Sequence, residues 1–176
     1  MLEIRNLTKR FGGNAAVNDV TTTIEANKVN AIIGPNGAGK TTFFNLISGV
    51  HHATAGSITF KGTDVTKMRA DQVARLGVSR TFQSTTLFDM ATVLDNLIVG
   101  HRLRTRSGLM DVLTGSSRLK NEERVCREKA RAALDFVGCS RIAGRLAGDI
   151  SQEERKRVAF ALALSTEPSL VLLDEP

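Results

Sequence analysis

With 176 residues, 41% of them hydrophobic and 24% charged, the chain has an ordinary globular composition and room for one domain, or one domain plus a small insert. Its longest apolar stretch, Val158–Leu164, falls far short of the ~20 residues a membrane span needs, and its start, Met1-Leu-Glu-Ile-Arg-Asn6, lacks the apolar core of a secretory signal. The 24 Lys and Arg against 18 Asp and Glu leave a net charge of +6, which is not by itself a nucleic-acid signature.

The opening reads as strands: Leu2 and Ile4 alternate with polar residues, Val17–Ile24 is rich in Val and Thr, and Phe11-Gly-Gly13 breaks the pair with a turn. A short apolar strand, Val29–Ile33, is predicted to run into a glycine-rich loop. Lys40–Ser48 then reads as a helix closed by Gly49. Gly56 and Lys61-Gly62 bracket a strand at Ser57–Phe60. Arg69–Leu76 reads as a helix ending at Gly77, and Val78–Phe82 as extended chain.

Helical spacing then takes over. Val93, Leu94 and Leu97 mark a helix at Thr92–Val99. Lys120–Val137 is a longer amphipathic helix whose apolar side is predicted from Val125, Ala132, Ala133, Leu134, Phe136 and Val137, with Gly138 ending it. Gln152–Ser165 is the next helix; Pro168 stops it, and Leu170–Leu173 reads as a buried strand. Many of the basic residues fall between Arg102 and Arg131, interleaved with Leu, Val and Ala, as a solvated helical face or as a surface for phosphates or lipid headgroups. Cys126 and Cys139 match no metal spacing and read as buried, reduced thiols of a cytosolic protein.

Two segments carry chemistry. Gly34-Pro-Asn-Gly-Ala-Gly-Lys-Thr41 fits G-x-x-x-x-G-K-[ST] between a predicted strand and a predicted helix. Gly34, Gly37 and Gly39 permit backbone angles and close approaches that a side chain would block. The loop from Gly34 through Pro35, Asn36, Gly37, Ala38 and Gly39 can then aim successive N–H groups at phosphate oxygens, helped by the positive end of the following helix. Lys40 reaches the β- and γ-phosphates of ATP, Thr41 offers a hydroxyl to Mg²⁺, and Thr42 reaches the α-phosphate. The second segment, Leu170-Val-Leu-Leu-Asp-Glu175, is an apolar strand ending in adjacent carboxylates. Paired with the loop, Asp174 holds Mg²⁺ through water, and Glu175 orients and deprotonates the attacking water.

The loop, Arg80-Thr-Phe-Gln83 and the ending Asp174-Glu175-Pro176, in that order, resemble the ABC ATPase family across the whole chain. Phe11-Gly-Gly-Asn-Ala-Ala-Val17, the stretch from Gly34 to Ile47 and Arg80-Thr-Phe-Gln83 further resemble the ATPase subunits of bacterial branched-chain amino-acid importers, although urea and aromatic-acid importers use similar subunits. The implied fold is α/β: a P-loop NTPase core with an antiparallel β subdomain and a helical subdomain, incomplete at the C-terminus. Residues 1–83 would form the β subdomain and loop-bearing core, 84–157 the helical subdomain, and 158–176 the return to the core.

The resemblance also implies roles. Phe11 sits where a ring stacks on adenine, the alternative being a core phenylalanine. Gln83 joins the Mg²⁺ and attacking-water site. The segment with Leu87, Phe88 and helix Thr92–Val99 either helps form a groove for a helix of the membrane subunit or is plain helical core. The family's signature, Leu-Ser-Gly-Gly-Gln, aligns on Ile150-Ser-Gln-Glu-Glu154. Ser151 survives there to meet the partner's ATP, but Gln152 and Glu153 replace both glycines, and Glu153 brings like charge towards phosphate unless Arg155, Lys156 or Arg157 compensates.

The implied partners are membrane permease subunits, a second ATPase subunit, identical or different, and indirectly a solute-binding protein, with no nucleic acid. The implied place is the cytoplasmic face of the inner membrane, peripherally held. The family pattern continues with a dimer-contact loop and a γ-phosphate-sensing histidine, whereas His51, His52 and His101 stand too early and read as surface or loop residues. On that comparison the chain reads as an N-terminal fragment that binds ATP with little or no hydrolysis. The rival readings are a soluble ABC ATPase of DNA repair or translation, and a nucleotide-binding regulator or relic without turnover.

Overall fold

The computed structural model describes residues 1–81, 87–101 and 117–174. The chain divides into two compact units, Met1–Leu76 and Gly77–Pro176.

The first unit is built on a four-stranded antiparallel sheet in which β1 (Leu2–Phe11) lies between β2 (Asn14–Ile24) and β3 (Ala55–Phe60), with the short β4 (Thr63–Asp64) outside β3. The predicted turn at Gly12-Gly13 joins β1 to β2, whose ends pair as Leu2↔Ile24 and Phe11↔Asn14. The inward set of β1 is Leu2, Ile4 and Leu7, each at most 1% exposed, so the alternation skips a beat between Ile4 and Leu7. The cause is an irregularity in the ladder. Asn6 adopts φ 48°, its N–H bonds to the Thr21 hydroxyl at 2.9 Å, and its side chain donates to Asp19 Oδ1 at 2.9 Å. The extra residue turns Leu7 back onto the core face. Helix α1 (Lys40–Ile47) buries Phe43, Leu46 and Ile47. It stops at Gly49 (φ 73°), where a Cβ would stand 2.8 Å from the Met68 carbonyl oxygen just before α2 (Ala70–Arg75).

One predicted strand does not form. Val29–Ile33 has no ladder partner among the described residues, and Val29 and Ile33 are 103% and 93% exposed. An apolar run becomes a strand only where a neighbour takes up its N–H and C=O groups. In this sheet both sides of β1 are occupied by β2 and β3.

The second unit holds a parallel pair, β5 (Val78–Thr81) and β6 (Leu170–Leu173), in register from Val78↔Leu170 to Thr81↔Leu173. Its helical part comprises α3 (Val93–His101), α4 (Ser117–Phe136) and α5 (Gln152–Ser165), with 3₁₀ turns at Ser140–Ile142 and Ala147–Asp149. Val93, Leu94 and Leu97 of α3 enter its core as predicted, beside Ala130 and Leu134 of α4 and Val158 of α5. Thr92 caps α3: its hydroxyl accepts from the Asp95 N–H at 3.0 Å and donates to Asp95 Oδ2 at 2.6 Å.

Two burial expectations are corrected. On α4 the buried residues are Cys126, Ala130, Ala133 and Leu134, while Ala132 is exposed and Phe136 is 75% exposed. Ala132 and Phe136 share a stripe four residues apart that turns away from the helical core. Strand β6 is only partly buried, with Leu172 at 4% and Leu173 at 36% exposure.

Candidate functional site

The phosphate loop lies in the first unit. Gly37 and Gly39 take φ 84° and 87°, values open to glycine and strained for other residues. At Gly39 a Cβ would stand 2.1 Å from the Ala16 carbonyl oxygen, so glycine is required both by conformation and by the approach of β2. Gly39 caps α1 with no side-chain hydrogen bond to the first turn, which leaves that turn's N–H groups for an anion. The Ala38 N–H bonds back to the Pro35 carbonyl at 3.2 Å and closes the loop. Lys40 is half-buried and folds over the loop, donating to the Gly34 carbonyl at 2.7 Å and the Pro35 carbonyl at 2.9 Å. Its ammonium is thereby held over the loop that would cradle the phosphates. Thr41 is exposed and Thr42 half-buried at the start of α1; Asn36 is exposed in the turn.

Phe11, at the end of β1, is 47% exposed, which removes the core alternative for its ring. The Lys9 ammonium lies 4.9 Å from its centroid, and the His51 ring meets it edge-on at 5.5 Å. Lys9 also donates to the His52 carbonyl at 2.9 Å, tying the strand to the loop after α1. Neither Lys9 nor His51 was assigned a part from the sequence, because residues so far apart along the chain give no local signal.

The second unit carries Asp174, 7% exposed, at the tip of β6. Arg80 of β5 donates through Nη2 to Asp174 Oδ2 at 2.9 Å. Gln83 and Glu175 lie outside the described residues.

Ser151 is the N-cap of α5. Its hydroxyl accepts from the Glu154 N–H at 3.2 Å, and its own N–H donates to Glu154 Oε2 at 2.7 Å. That backbone donor, followed by the Ser151 side chain, holds the Glu154 carboxyl below its ordinary value. Glu153 pairs with Arg157 at 2.5 Å, while Arg155 pairs with Asp89 at 2.8 Å. The compensating cation for Glu153 is therefore Arg157, one turn along the helix.

Mg²⁺ is a hard ion that usually binds through one or two protein oxygens plus nucleotide phosphates. The Thr41 hydroxyl and the Asp174 carboxylate are donors of that kind, and no group of three or more His, Cys, Asp or Glu among the described residues forms a dedicated metal cage. Taken singly, each of these oxygens has the chemistry for an ion that arrives with phosphates.

Glycine-forced loop, overlying lysine and strand-tip aspartate define the parts of a P-loop nucleotide-binding cassette. The ABC transporter family profile matches residues 17–176, and the chain belongs to this family of ATP-hydrolysing, transport-coupled cassettes. It is 36% identical over 176 residues to the high-affinity branched-chain amino acid transport ATP-binding protein BraF of Pseudomonas aeruginosa, covering all of this chain and 69% of the relative. Against LivG of Escherichia coli K12, described in the same words, identity is 34% with the same coverage. A solved nucleotide-free ATP-binding cassette from an ABC transporter superposes with a TM-score of 0.82 at 34% identity, over all of this chain and 69% of the other. A cassette solved in its ADP conformation gives 0.80 at 32%, over 97% of this chain and 66% of the other. No helix among the described residues is long and apolar enough to cross a membrane.

Proposed function

We propose that this chain is the ATP-binding, energy-coupling subunit of an importer for branched-chain amino acids. It would work at the cytoplasmic face of the inner membrane with permease subunits, a second cassette and, indirectly, a solute-binding protein. The observation that carries the nucleotide part is the loop in which Lys40 lies over the Gly34 and Pro35 carbonyls at 2.7 and 2.9 Å. The solute class is supported by the likeness to BraF and LivG along the whole chain.

In this reading the N–H groups from Gly37 to Thr42 bind the polyphosphate, with Ala38 giving up the Pro35 carbonyl and Lys40 exchanging its two carbonyl acceptors for β- and γ-phosphate oxygens. Phe11 stacks on adenine. Thr41, Asp174 and Gln83 are the oxygen donors assigned to Mg²⁺, which when bound neutralises developing charge on the phosphates. Glu175 orients and deprotonates the attacking water, with Gln83 beside it. Ser151 reaches the ATP of the partner cassette. The proposed division of labour is residues 1–83 for nucleotide binding, 84–157 for permease and partner contacts, and 158–176 for the catalytic strand.

Calorimetry with Mg²⁺ and a non-hydrolysable ATP analogue tests the proposal. Wild type should give magnesium-dependent heat, and Lys40→Ala should weaken binding by about tenfold or more, the scale of one charge-assisted contact to phosphate. Absence of heat from well-folded wild type would sink the reading.

A second reading, nucleotide binding without turnover, is favoured by Gln152 and Glu153 where the resemblance expects the signature glycines, with Glu153 paired to Arg157 one turn along α5. ATP binding with no phosphate release, in the presence of a partner cassette, would select it.

A further inference from the structure

A charged pair links the two strands of the second unit. In the β5–β6 register Arg80 stands opposite Leu172, and its Nη2 reaches Asp174, two residues further along, at 2.9 Å. Both side chains are only 6% exposed. A buried ion pair is weak grounds for stability, because the desolvation of two charges offsets most of their attraction and apolar residues of the same volume often serve as well. Its presence at the tip of the strand that ends in Asp174 therefore asks for a role in what that carboxylate does. The bond uses Oδ2; Oδ1 takes no hydrogen bond from a described residue.

We propose that Arg80 is a positioning residue for the divalent ion: it neutralises and orients Asp174, so that the strand tip captures no bare cation and accepts one only together with nucleotide phosphates. The proposal rests on the reading of Asp174 as a magnesium contact. A bare divalent ion approaching the pair meets a carboxylate whose charge is cancelled, and a guanidinium that repels it with little solvent screening. The same ion carried on a triphosphate is part of a net anion, which the guanidinium attracts. Holding Oδ2 also fixes the carboxylate plane, so Oδ1 is presented in one orientation and not sampled over many.

The test titrates Mn²⁺, standing in for Mg²⁺, into the full chain, with free ion followed by electron paramagnetic resonance, alone and with a non-hydrolysable ATP analogue. Wild type should bind bare Mn²⁺ weakly and Mn²⁺ with the analogue tightly. Arg80→Gln should bind the bare ion about tenfold or more tighter, since a unit positive charge is removed a few ångströms away. Arg80→Lys keeps the charge, lacks the planar fork and avoids an unpaired buried carboxylate, so it covers the case in which Arg80→Gln does not fold. It should leave the bare-ion affinity as in wild type and weaken uptake with the analogue. Variants that match wild type in both titrations would overturn the role of Arg80 alone. A wild type that takes up neither ion nor analogue would bring down the nucleotide-site reading and this proposal with it.

Discussion

At the scale of single residues, the nucleotide site of the first unit has two separable ends. In the proposed reading Lys40 and the loop address phosphates, and Phe11 addresses a base. The ring is 47% exposed, with the Lys9 ammonium over it at 4.9 Å and the His51 ring against its edge, so its neighbours hold it in place without covering it. Removing it costs little packing. Stacking of a base on an aromatic ring is worth about 1–3 kcal/mol. Phe11→Ala should therefore weaken binding of an ATP analogue by about tenfold while leaving the melting temperature and the affinity for inorganic tripolyphosphate unchanged. Equal losses for ATP and tripolyphosphate would show that the ring acts on the loop and not on adenine. Arg80 carries no local signal of its contact, because its acceptor lies 94 positions away along the chain.

At the scale of elements, legibility followed the range of the interactions that make each one. Helix α5 begins at Gln152, ends at Ser165 and is followed by Pro168, as its sequence indicates, because caps and breakers act within a few residues. The bulge at Asn6 and the failure of Val29–Ile33 to become a strand were not legible, since both depend on which distant strand lies alongside. The buried face of α4 was half legible: Ala133 and Leu134 were placed correctly, whereas Ala132 and Phe136 point away from the helical core. For the site, the loop residues and Asp174 could be named from motif alone, but the ion pair that engages Asp174 could not.

The cap of α5 yields a prediction with a pH signature. Ser151→Ala removes the acceptor for the Glu154 N–H at 3.2 Å and should cost about 1 kcal/mol of stability. The Glu154 carboxyl, held below its ordinary 4.5 by the Ser151 N–H and hydroxyl, stabilises the folded state only when ionised. A carboxyl lowered on folding contributes fully above its unfolded value and loses that contribution as pH falls through the folded one. The difference in melting temperature between wild type and Glu154→Gln should thus be constant above pH about 5 and shrink in stronger acid. A difference that grows on acidification would contradict the capping-box assignment.

At the scale of the whole molecule, the chain has no Trp or Tyr, and its two cysteines both lie in the Gly77–Pro176 unit. Cys126 and Cys139 are 3% and 4% exposed, and burial pushes the Cys139 thiol above its ordinary value. Disulfide reagents attack the thiolate and need access to it, so both features suppress reaction in the folded state. The two thiols should be silent towards Ellman's reagent in native buffer. They should react only as denaturant opens the helical core, in step with loss of the helical circular dichroism. Leu134 is fully buried in that core, and Leu134→Ala leaves a cavity that should cost about 2–5 kcal/mol. The midpoint for thiol exposure should fall accordingly, at an unchanged denaturant slope. Stoichiometric labelling of wild type without denaturant would mean that α4 does not pack against α3 and α5 as described.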